Sequence, residues 1–71
     1  MDIERLVAMA NDIAAFFDAE AGPAAADNVR NHISRYWEAR MRREIIAHLQ
    51  KGGAGLVPIA RDAVSRLTPP A

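Results

Sequence analysis

Between Asp2 and about Ala19 the apolar residues Ile3, Leu6, Val7, Ala10, Ile13, Ala14 and Phe17 recur at intervals of three and four. That spacing lines one face of an α-helix, whereas a half-buried strand needs strict alternation. The stretch therefore predicts a helix of about five turns, and any fold for the chain must be arranged around it. Asp2 and Glu4 sit in the first turn, where the helix dipole favours negative charge. Met9 and Phe16, seven residues apart, fall beside the main face and widen it. A face this broad serves two contacts, one to the chain's own core and one to something else.

The rest of the sequence continues in helical segments. Ala21-Gly22-Pro23 reads as a stop followed by a start, since Gly tolerates the connecting geometry and Pro suits the first position of a helix. A second helix is expected from about Pro23 to Trp37, with Ala25, Ala26, Val29, Ile33, Tyr36 and Trp37 facing inward and His32 at the edge. Met41, Ile45, His48 and Leu49 form a further apolar set, rotated by roughly 100° from the Val29/Ile33/Tyr36 stripe. One straight helix cannot bury both, so a bend or break is expected near Glu38–Arg40, although neither Pro nor Gly is there to enforce it. Lys51-Gly52-Gly53-Ala54-Gly55 ends this helix, and Pro58 opens a short fourth one with Ile59, Ala60, Ala63, Val64 and Leu67 inside. Val57 is a poor N-cap because its side chain holds no acceptor. The expected class is all-α, a small bundle of three to four short helices over residues 1–67, with a flexible tail at 68–71 that two prolines keep out of helix.

Only 21 of the 71 residues are large and apolar, and no cysteine is present to supply a disulfide or a thiolate ligand. A large buried catalytic cavity is excluded on that count, and help from a partner or from self-association becomes attractive. Zero net charge conceals a net of −5 over residues 1–28 and +5 over residues 29–71. The overall balance argues against indiscriminate binding to nucleic acid or anionic membranes, and the two halves either neutralise each other or face different surroundings. The acidic start Met1-Asp2-Ile3-Glu4-Arg5 is unlike a signal peptide, and no apolar run approaches a membrane span of ~18 residues. The expected location is cytoplasmic.

No catalytic constellation stands out. His32 and His48 lie on different segments, without a second His or a carboxylate at metal-ligand spacing, and read as core or interface histidines. Gly52-Gly53-Ala54-Gly55 lacks the Lys-Ser/Thr of a phosphate-binding loop and reads as a helix-ending turn. The unusual stretch is Arg30, Arg35, Tyr36, Trp37, Arg40, Met41, Arg42 and Arg43, five arginines within fourteen residues around a Tyr-Trp pair. Such a composition suits a protein-binding surface, a solvated helix face, or base stacking on nucleic acid. Tyr36 and Trp37 share the face of Val29 and Ile33 and are expected in the core first.

Three segments together resemble one family: Met9-Ala10-Asn11-Asp12-Ile13-Ala14 with Phe16-Phe17, then Asn31-His32-Ile33-Ser34-Arg35-Tyr36-Trp37 with Arg40-Met41-Arg42, and Gly52-Gly53-Ala54-Gly55-Leu56 with Pro58. In order and spacing, over about residues 3–67, the chain resembles the small delta subunit of molybdenum-containing, NAD-dependent formate dehydrogenases. It departs from such sequences at Ala39, where they often carry Pro, and at Val57, where they often carry Ser or Thr. The resemblance implies an accessory, non-enzymatic subunit of a cytoplasmic complex, holding no cofactor itself. Its implied partners are the catalytic (alpha) subunit and a maturation chaperone, and its implied task is assistance with molybdenum-cofactor insertion or complex maturation.

The partner surface expected on this basis comprises Arg35, Trp37, Arg40, Met41 and Arg42, with Met9 and Phe16 at the edge of the first helix. Two alternatives from other classes stand beside it: a small nucleic-acid-binding regulator using the arginines, and a module that self-associates through the first helix.

Overall fold

The computed structural model describes residues 2–70. Asp2 is the N-cap of the first helix, α1 (Ile3–Ala21), and its carboxylate accepts the Arg5 N–H at 2.9 Å. It thus serves as the cap rather than within the first turn, satisfying one of the four free amides at the helix start. Gly22 ends α1 with φ of 52°. Pro23 then sits in a single 3-10 turn, Gly22–Ala24, instead of opening the second helix directly. That helix, α2, runs Ala25–Tyr36.

The expected break is present. Trp37 and Glu38 are both extended, with ψ of 135° and 162°, and α3 (Ala39–Gln50) begins immediately after them. The redirection has a clear consequence for packing: Val29 and Ile33 on α2 and Ile45 on α3 are all fully buried despite being out of phase along the sequence. Ala39 occupies the first position of α3, where proline is tolerated because the amide there has no helical partner.

α3 finishes in a Schellman-type turn. Gly52 at φ 115° donates to the Leu49 carbonyl at 2.9 Å, and Gly53 donates to the His48 carbonyl at 2.9 Å. A loop then leads to α4 (Pro58–Ser65), whose N-cap Val57 makes no side-chain capping bond. The tail expectation reaches Ala71, which lies outside the described residues, as does Met1.

The core gathers Leu6, Ala10 and Ala14 of α1, Val29 and Ile33 of α2, Trp37, Ile45 of α3, and Ala60, Ala63 and Val64 of α4, with Leu67 just beyond. Alanines make up five of the twelve buried apolar residues, so the helices approach closely and the few large side chains fill what space is left. Among the described residues no polar or charged side chain is buried. The large apolar side chains left exposed among the described residues are Phe16, Tyr36 and Val57.

Candidate functional site

The α2–α3 junction separates two adjacent aromatic residues. Trp37 is 4 % exposed and packs in the core, while Tyr36 is 66 % exposed. Tyr36 therefore departs from its expected core position. Side chains on a helix lean back toward the preceding turn, and the Tyr36 ring leans on His32 rather than inward over Ile33, with 4.8 Å between ring centroids. Beyond His32 the row continues onto α1. Phe17 lies 6.1 Å from His32 at 64°, and Phe16 meets Phe17 edge to face at 5.1 Å and 81°. Edge-on contacts of this kind are favourable between aromatic quadrupoles. They order a ridge whose two ends, Phe16 at 59 % and Tyr36 at 66 % exposure, stand in solvent.

Along the outer side of α2 this ridge borders an open groove of about 660 Å³, lined by Phe17, His32 and Tyr36 together with Arg30, Asn31 and Arg35. Asn28 and Ser34 complete the lining, in which no acidic residue stands. Arg35 is exposed and Arg30 half-buried. The Nε of Arg30 is buried without any hydrogen-bond acceptor.

The other arginines of the stretch have different fates. Arg42 is half-buried and folds back to donate from Nη1 to the Trp37 carbonyl, closing the end of α2. Arg40 is exposed and makes a loose pair with Glu44 at 3.9 Å, one turn along α3. Met41 and Met9 are half-buried and pack against the core. Of the expected partner surface, the structure thus leaves Phe16, Arg35 and Arg40 outermost, turns Arg42 and the Trp37 ring to structural roles, and joins Phe16 to Tyr36 through Phe17 and His32.

Charge separation persists in the fold. Among the described residues one ion pair joins the two halves, Asp27 to Arg66 at 2.6 Å, while the others, Arg66–Asp62 and Arg40–Glu44, lie within the second half. Hydrogen bonds to Asp27 first and Asp62 second raise the Arg66 pKa above the usual guanidinium value. Asp2, Glu4, Asp12, Asp18 and Glu20 take part in no ion pair among the described residues.

A second polar cluster was not anticipated as such. Asn11 reaches from α1 to the loop before α4, donating from Nδ2 to the Gly55 carbonyl at 2.9 Å and accepting the Val57 N–H on Oδ1 at 3.0 Å. His48 Nε2 bonds the Ala54 carbonyl at 2.8 Å, and both terminal nitrogens of Arg61 donate to the Gly52 carbonyl at 2.8 and 2.6 Å. His48 therefore secures a loop rather than filling an apolar face, and the glycine run is the helix-ending turn expected. Only the resemblance to a family segment containing Asn11 hinted that this residue mattered. Among the described residues no three His, Cys, Asp or Glu side chains gather as a metal site, and no helix is long and apolar enough to cross a membrane.

Comparison with known proteins adds one match. The family model described as NADH-dependent formate dehydrogenase delta subunit FdsD covers residues 5–64 of the 71. No curated protein and no solved structure matches the chain.

Proposed function

The chain belongs to the NADH-dependent formate dehydrogenase delta-subunit family, and from that premise we propose that it is a non-catalytic accessory subunit. In this reading it docks on the catalytic subunit in the cytoplasm and assists molybdenum-cofactor insertion or maturation of the complex. The observation that carries the proposal is the ridge whose exposed ends are Phe16 and Tyr36, with Arg35 beside Tyr36 and in no ion pair among the described residues. Aromatic and arginine side chains are enriched at the centres of protein interfaces. Phe17 packs against the core, so the exposed ends of the row, Phe16 and Tyr36, are the parts left for a partner.

Their exposure makes Arg35 and Tyr36 the test positions, because Arg42 and Trp37 hold the junction and their loss would disturb the fold. Co-expression of the tagged chain with the dehydrogenase subunits should recover the catalytic subunit, and omission of the chain should lower molybdenum content per catalytic subunit. The combined change Arg35→Glu with Tyr36→Ala should reduce recovery at least tenfold at unchanged melting temperature. Failure of the unaltered chain to recover the catalytic subunit overturns the docking role. Unchanged molybdenum content without the chain overturns the maturation role.

A further inference from the structure

We infer that the groove on the outer side of α2 receives a carboxylate side chain of the protein partner, gripped by Arg30 and Arg35 and flanked by the aromatic row. The inference rests on the docking role proposed above and specifies the chemistry of what is docked.

The first support is the guanidinium of Arg30, which lines the groove, is half-buried and takes part in no ion pair among the described residues. Its Nε is closed to solvent and to incoming groups alike, which leaves the terminal Nη pair as the edge that a ligand in the groove can reach. A guanidinium presents its N–H groups in a planar fork, and the group that best matches such a pair is a carboxylate accepting two parallel bonds.

The second support is charge complementarity. None of the groove's lining residues is acidic, and the nearest acid along α2, Asp27, is already engaged by Arg66. Arg30 and Arg35 take part in no ion pair among the described residues, and Asn28 and Asn31 add amide groups to the lining. The groove is therefore short of one negative group and supplied with donors to bind it. Its volume of about 660 Å³ admits a short segment with one or two acidic side chains. Phe17, His32 and Tyr36 would cover the apolar part of such a segment.

A nucleic-acid strand also brings anions to arginines. It suits this surface less, because Asp18 and Glu20 stand exposed within a turn of Phe17, and the chain as a whole carries no net positive charge. A polyanion crossing the groove would meet those carboxylates, whereas one acidic side chain need not.

The sequence offers a direct test, since Lys51 is its only lysine. Arg30→Lys and Arg35→Lys each place an amine in the groove, and a carbodiimide joins an amine to a carboxylate in contact with it. The complex of each variant with the catalytic subunit is treated with the reagent and its cross-linked peptides are read by mass spectrometry. A link from position 30 or 35 to an Asp or Glu of the partner is the expected result. Both variant complexes forming at wild-type yield with no link from either position overturns the inference, while recovery by the unaltered chain leaves the docking role standing. Should either lysine variant fail to bind at unchanged melting temperature, the requirement for the guanidinium fork is itself the supporting outcome. Arg30→Gln should lower capture at least tenfold. Unchanged capture by that variant, together with low-salt binding of a single-stranded oligonucleotide that the same change abolishes, assigns the groove to nucleic acid and overturns the proposal.

Discussion

Around residues 51–57, side chains from three helices turn inward onto backbone groups; along the outer side of α2, two arginines without ion-pair partners among the described residues stand beside a row of rings with exposed ends. Asn11, His48 and Arg61 hold the carbonyls of Gly55, Ala54 and Gly52. Arg30 and Arg35 take part in no ion pair among the described residues, and Phe16 and Tyr36 are the exposed ends of the aromatic row. Both regions are polar and irregular in sequence, so composition alone does not separate them. Hydrogen-bond bookkeeping does: where a small fold needs polar side chains for its own backbone, the donors are already engaged, and where they are not engaged the surface is available to a partner.

The contrast is most exposed to failure at the junction. Trp37→Ala should cost about 3–5 kcal/mol, as for other buried tryptophans, and for a domain of this size each kcal/mol moves the melting temperature by about 4–8 °C. Its neighbour Tyr36→Ala should stay within about 0.5 kcal/mol in the same melt. Similar losses from both would mean that the aromatic row holds the fold and is not spare. Next in size is Gly53→Ala. Gly53 has φ of 66°, and an added Cβ would lie 2.9 Å from Leu49 Cδ1 and close against the Arg61 guanidinium. A penalty of about 1–3 kcal/mol is expected in chemical denaturation; a neutral result would show the loop to be slack.

Smaller effects come from the caps. Val57→Ser supplies an acceptor at an N-cap that now has none, and should raise stability by about 0.5–1 kcal/mol. Ala39→Pro, at the first position of α3 after an extended Glu38, should add about 0.4–1 kcal/mol by restricting the unfolded chain. Smallest is Arg66→Gln, which removes an exposed bridge. Since the Arg66 pKa is raised in the fold, its stabilisation is present below the ordinary guanidinium value and is lost only as pH rises through the raised one. The small difference between variant and wild type attributable to this guanidinium's own titration should stay constant over about pH 6–9, and thermal melts across that range check it.

Much of the fold was readable because it depends on periodicity. The apolar spacing from Ile3 to Phe17 becomes α1, and the phase jump between Ile33 and Ile45 becomes the break, where the extended Trp37–Glu38 pair lets both sets turn inward. Tyr36 was misplaced because helical phase gives a direction about the axis but not how a terminal side chain leans. Its preceding-turn neighbours include both His32 and Ile33, and the ring settles on His32. Trp37 was legible as core, yet the half-buried Arg42 that closes the junction was not, because its bond is to a backbone carbonyl five residues back, a pairing that apolar spacing does not encode. The Asn11 clasp was hidden for a related reason: its partners lie 44 and 46 residues away, beyond the reach of any local pattern.

That separation along the chain also bears on the order in which the molecule comes together. Helical turns form from neighbours within microseconds, but the Asn11 amide meets its two partners only when α1 and the segment before α4 have already been brought side by side. Bonds of such long sequence separation are expected to form late, after the main barrier to folding. Asn11→Ala should therefore leave refolding near the wild-type rate and place its loss of about 1–2 kcal/mol on unfolding, accelerating it roughly 5- to 30-fold. Stopped-flow measurements in both directions test this, and an equal effect on refolding would place the amide's contacts inside the folding nucleus. If the loss falls on unfolding alone, Asn11 is a latch, governing how long the folded bundle lasts more than how fast it forms.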